Sequence, residues 1–304
     1  MRPASPDIGV ARPTLVRRTV VVSVPVGRIR SAFRVALALL VASFAPASAE
    51  DEPEAARRLE FMQAAVRSLE PEASELKSKA ALAVGSKPLL RYSDPTRGGI
   101  KEAATNVLVD AGVWRLGSEG RPTALVTVEI YQARDGSRVL AYEFLSLTEA
   151  KFSLRHKTEG VRWDATASAL ELRDLPEAPK PAGTAPARLA QMRQLARRFG
   201  ATERLKGELI ECRLLAQPID RYHSEAEKVA DGAIFALANG TNPEIGVVLE
   251  CDAERWRYGV LRLGAAEMTV TLDGRPVAAY EKFDGRGRTD GPYSNAAVKI
   301  PTGK

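Results

Sequence analysis

The feature that most constrains this chain is internal repetition. Asp110-Ala-Gly-Val-Trp-Arg-Leu-Gly-Ser-Glu-Gly-Arg-Pro-Thr-Ala-Leu-Val-Thr-Val-Glu-Ile130 lies without gaps over Asp231-Gly-Ala-Ile-Phe-Ala-Leu-Ala-Asn-Gly-Thr-Asn-Pro-Glu-Ile-Gly-Val-Val-Leu-Glu-Cys251. Upstream, Pro88-Leu-Leu-Arg-Tyr92 meets Pro218-Ile-Asp-Arg-Tyr222, and Leu59, Met62, Val66 and Leu69 share the spacing of Leu189, Met192, Ala196 and Phe199. Downstream, Tyr142, Leu145 and Leu147 meet Tyr258, Leu261 and Leu263. Matches that keep their order over most of a chain predict a duplicated unit.

Each unit reads as one helix followed by strands. The apolar residues Leu59, Met62, Val66 and Leu69 recur on one face of a 3.6-residue period, and Pro71 and Gly200 are the expected helix ends. Alternation then changes to period two: Ala124, Val126, Val128 and Ile130 face one way, with Thr127, Glu129 and Tyr131 on the other, as in half-buried strands. Asn239-Gly240 predicts a type I′ hairpin turn, with Thr241 to Pro243 lengthening the loop. The expected fold is α+β, two tandem-duplicated units, each a helix followed by an antiparallel sheet. Whether the units form separate lobes or share a sheet stays open. The expected boundaries are an export signal at 1–49, a first unit at 50–173, a Pro/Ala-rich linker at 174–186, a second unit at 187–283 and a flexible Gly-rich tail at 284–304.

The export reading rests on Arg28, Arg30 and Arg34, the apolar run Val35 to Ala45, and the small-residue exit Ala47-Ser-Ala49. The run is near ten residues, too short for a bilayer, which needs about 20. Cleavage after Ala49 predicts a mature protein in the periplasm or outside the cell, with no stable membrane anchor. It also explains the charge. Taking the seven arginines and one aspartate of residues 1–49 from 44 basic and 38 acidic residues leaves 37 of each. A neutral chain with 6% aromatic residues lacks the charge excess and stacking surfaces of a nucleic-acid binder.

Sites are harder to read. Cys212 and Cys251 fall on apolar faces of strands in the second unit, where an oxidising compartment permits a bridge contributing about 4 kcal/mol. Two buried thiols are the alternative. His156 and His223 have no metal-ligand spacing and read as surface residues, so neither a metal nor a cofactor is expected. Leu116-Gly-Ser-Glu-Gly120 is a polar turn and not a nucleophile elbow. Asp110 and Asp231, beside Ala and Gly, read as turn formers. The recurring pairs Arg91-Tyr92 and Arg221-Tyr222 are the candidate ligand-binding residues, because Arg and Tyr are favoured at binding surfaces.

The segment Asp231-Gly-Ala-Ile-Phe-Ala-Leu-Ala-Asn-Gly-Thr-Asn-Pro-Glu244, with Trp256-Arg-Tyr258 after it, resembles a family of uncharacterised exported proteins of planctomycete-type bacteria. The resemblance implies an exported bacterial protein and assigns no activity, cofactor or site residue. The resulting expectation is a non-catalytic binding protein for a partner protein, glycan or small ligand. A cell-envelope hydrolase with an acidic active site is the alternative.

Overall fold

The structure is a computed structural model, which describes residues 52–76, 78–94, 106–133, 135–285 and 288–301. The export segment lies outside the described residues. Among those described, no helix is long and apolar enough to cross a membrane.

The fold class differs from the α+β expectation of tandem helix-plus-sheet units. The described residues are mostly β, with seventeen strands against two α-helices and one 3-10 turn. In chain order these are α1 (Glu52–Arg67), β1 (Leu69–Ser74), the 3-10 turn (Lys79–Leu82), β2 (Leu90–Asp94), β3 (Asn106–Leu116), β4 (Ala124–Ala133) and β5 (Arg138–Ser146). Then come β6 (Phe152–His156), β7 (Arg162–Ala165), β8 (Arg173–Asp174), α2 (Ala185–Ala196), β9 (Phe199–Leu205), β10 (Glu208–Leu214) and β11 (Asp220–Ser224). The remainder are β12 (Val229–Asn239), β13 (Asn242–Cys251), β14 (Trp256–Arg262), β15 (Glu267–Leu272), β16 (Arg275–Tyr280) and β17 (Tyr293–Ile300).

Three antiparallel sheets result. Strands β17-β5-β4-β3-β2 form a five-stranded sheet, and β1-β6-β7 a small one. A nine-stranded sheet, β16-β15-β9-β10-β12-β13-β14-β8 with β11 beside β12, curls into a half-barrel. One core joins α1, the small sheet and the five-stranded sheet around Met62, Trp114, Phe144 and Trp163. A second lies inside the half-barrel under α2, around Met192, Phe235, Leu249 and Trp256. The third connects the two large sheets through Leu108, Val113 and Leu125 on one side and Ile234, Val248 and Leu261 on the other.

That third core overturns the half-buried reading of the strands. Every residue of β13 and every position from Ala124 to Ile130 of β4 is buried. A strand covered on both faces reads as an apolar run rather than a clean alternation, and its polar residues, Thr127 and Glu129, are enclosed too. The helices also stop sooner than Pro71 and Gly200: Leu69 and Phe199 already begin strands. The Asn239-Gly240 turn is tighter than predicted. Asn239 pairs with Asn242 and a bulge at Leu237/Ala238 absorbs the odd residue, so Gly240 and Thr241 are the central residues. Only Gly240 has a positive φ, 61°, which fits type II′.

The C-terminal stretch expected to be a flexible tail contains β17, which pairs with β5 from Tyr293↔Leu145 to Ile300↔Arg138. The linker is also tied down, since Arg173 and Asp174 pair with β14 and Leu175 enters the core of the half-barrel.

The cysteine bridge is absent. Both thiols are free and buried, and burial pushes the Cys251 thiol up to about 11. Cys212 adjoins Arg213, which faces Ala238 on one side of β12, whereas Cys251 faces Asp231 on the other side. The seven residues of β12 between those positions span roughly 23 Å, and a disulfide needs Cα atoms within about 7 Å.

Candidate functional site

The Arg-Tyr pairs divide between two layers because neighbouring residues of a strand face opposite ways. On the outer layer, Asp110 accepts from Arg58 Nε at 3.0 Å and Arg91 Nε at 2.9 Å. Asp231 accepts from Arg188 Nε and Arg221 Nε, each at 3.0 Å. Arg91 and Arg221 also donate to the carbonyls of Ala55 and Ala185, both at 2.7 Å, pinning each helix to its sheet. On the inner layer, Tyr92 Oη donates to Glu129 at 2.9 Å and Tyr222 Oη to Glu250 at 2.7 Å. The two aspartates are therefore strand residues holding buried ion pairs rather than turn formers. Arg58 and Arg188 escaped the sequence reading, although each immediately precedes a repeated leucine, Leu59 or Leu189.

Arg221, Tyr222 and the exposed His223 line a surface groove with Arg115 and Ser118, but the charged head of Arg221 and the hydroxyl of Tyr222 are engaged as described. His156, read as a surface residue, is buried edge-on to Tyr142, its Nδ1 accepting from the N–H groups of Thr158 and Glu159.

The two buried glutamates that receive the tyrosines have unlike surroundings. Arg121, on the turn between β3 and β4, donates to Glu250 through Nε at 2.6 Å and Nη2 at 2.9 Å, forming a bidentate pair between the two large sheets. At the other end, Glu129 accepts from Tyr92 and from Tyr131 Oη at 2.8 Å, and faces a cleft of about 440 Å³.

Strand register explains this cleft. Glu129 lies opposite Ala111 and Ala141, and Ala141 opposite Ala297, so one row across the sheet carries a single long side chain among three alanines. The next row on the same face runs Val113, Thr127, Glu143, Asn295. Glu129 and Glu143 are diagonal neighbours, with Cα atoms about 7 to 8 Å apart. The small residues make the floor, Tyr131, Glu143 and Asn295 the walls, and Phe283, Asp284 and Gly285 the far rim. A side chain at Gly285 would collide with the Phe283 ring and the Asn295 amide, so glycine permits this close approach.

Burial, followed by the charges of Glu129 and Glu244, holds the Glu143 carboxyl well above the usual carboxylate range. Arg262 opposes this only at a distance. Its guanidinium donates to the carbonyls of Gly264, Glu281 and Ala266, and lies 4.7 Å over the Tyr293 ring. Among the described residues no three His, Cys, Asp or Glu side chains are placed to hold a metal ion.

No protein-family model, curated protein or solved structure matches the chain.

Proposed function

We propose that the chain is an exported, non-catalytic binding protein whose cleft at Glu129 and Glu143 takes a small polar ligand. The observation that carries this is the row of three alanines beside Glu129, which leaves a recess walled by hydrogen-bonding groups and rimmed by an aromatic ring. The signal-like segment before Glu50 supports export, and N-terminal sequencing of the secreted protein is expected to begin at Glu50.

The test of the cleft is to fill its floor. Ala141→Leu places a branched side chain in the recess, and is expected to abolish the rise in melting temperature that polar ligands give the wild-type protein. Near-ultraviolet circular dichroism of the variant checks that the fold survives. Ligands that stabilise the variant as much as the parent would place binding elsewhere.

A further inference from the structure

We infer that the group held between Glu143 and Glu129 is the ammonium of a small organic amine, an inference that rests on the cleft being the binding site. Four observations combine. First, Glu129 and Glu244 lie close enough to act electrostatically on Glu143, which makes no salt bridge among the described residues. Second, the cation nearest to Glu143 in this cluster, Arg262, has its donors directed at three backbone carbonyls and its face against Tyr280, Phe283 and Tyr293. It cannot turn to Glu143 without abandoning those bonds.

Third, the Tyr293 hydroxyl is buried beside Glu143 without meeting the geometry of a hydrogen bond to it or to any other described group. Tyr293 is only 6% exposed, so a group entering the cleft to meet Glu143 would also meet a hydroxyl able to accept an N–H. Unpaired buried hydroxyls are uncommon, because the lost hydrogen bond costs about 1 to 3 kcal/mol. Fourth, Phe283 and Tyr131 line the cleft and present aromatic rings, which attract cations. The matched end of the molecule shows what is missing: there Glu250 already has its own cation in Arg121.

An anion would be repelled by the carboxylates, and a neutral polyol would leave their charge uncompensated. The proton balance follows. In the free protein Glu143 keeps its proton, facing Glu129 and Tyr131 from β4, Tyr92 from β2, Glu244 from β13, Arg262 from β14 and Tyr293 from β17. An alkylammonium that enters already charged makes Glu143 give that proton to solvent, leaving a carboxylate paired with the ammonium. Binding therefore tightens as pH rises, until the amine itself loses its proton.

The experiment is calorimetric titration of the mature full chain with putrescine, spermidine and glucosamine, each against its neutral counterpart: 1,4-butanediol, a long-chain triol and glucose. At least one amine is expected to bind at pH 7.5 at least tenfold more tightly than its counterpart, and tenfold more weakly at pH 5.5. Proton release is read from the dependence of the heat on buffer ionisation. Glu143→Gln is expected to remove both the proton release and at least tenfold of the affinity, and Tyr293→Phe, which keeps the ring, to weaken binding less. Equal binding of amine and neutral counterpart, or an unchanged pH profile in Glu143→Gln, would overturn the inference. Neutral binding that disappears in Ala141→Leu leaves the cleft standing and removes only the ammonium. Absence of binding by every probe removes the ammonium inference and, with an unresponsive Ala141→Leu, the cleft as well.

Discussion

Asp231 shows how one carboxylate can organise a layer. Its side chain is 5% exposed and accepts from Arg188 on α2 and Arg221 on β11, so two cations from different elements depend on one anion. Asp110 does the same for Arg58 and Arg91. Replacing the acid while leaving the bases strands buried positive charge, which is worse than removing the whole cluster. Asp231→Asn is accordingly expected to lower stability to urea by about 3 kcal/mol, whereas changing Asp231, Arg188 and Arg221 together to apolar residues of similar size should recover most of it. A loss below about 1 kcal/mol in the single variant, the range of exposed ion pairs, would show that the cluster is solvated in solution. The duplicated spacing made the aspartates visible in the sequence, but their partners were not, because a helix and a strand far apart in sequence supply them.

At the scale of elements, β17 is the clearest departure from the sequence reading. Ser294, Ala296, Val298 and Ile300 do alternate with Asn295, Ala297 and Lys299, and the last three of the inward residues pack against the first core. The Gly- and Arg-rich stretch before them masked that period-two signal. Two features make the segment integral. Trp163 Nε1 donates to the Gly291 carbonyl at 3.0 Å, and β17 covers an edge of β5 that would otherwise be exposed. Deleting residues 289–304 is therefore expected to cost at least about 2 kcal/mol, or roughly 5 °C in thermal midpoint. A flexible tail would come off with no change, so an unaltered melting curve would restore the original expectation. The cleft was illegible for a related reason. Glu129 and Glu143 are two among 37 acidic residues of the chain after Ala49, and only the register that sets Thr127 opposite Glu143 brings them to one face.

The whole molecule folds against its own covalent order. The linker region lends β8 to the edge of β14, while β17, from the far end of the chain, completes the sheet begun by β2 to β5. Between the two large sheets, Leu108, Ala111, Val113, Leu125, Leu145 and Leu147 depend on Ile234, Ala236, Val248 and Leu261 for cover. Arg121 and Glu250 add a desolvated ion pair across the same junction, the acid fully buried and the arginine side chain 15% exposed. Residues 50–174 alone would thus lack an edge strand and expose one face of a sheet, a combination that favours aggregation over folding. The intact mature chain should unfold in one cooperative step, since neither sheet can open without uncovering the other. Differential scanning calorimetry is expected to give a single peak with calorimetric and van't Hoff enthalpies in agreement. Two resolved peaks, together with a soluble, folded 50–174 fragment, would mean that the shared core contributes too little to couple the sheets.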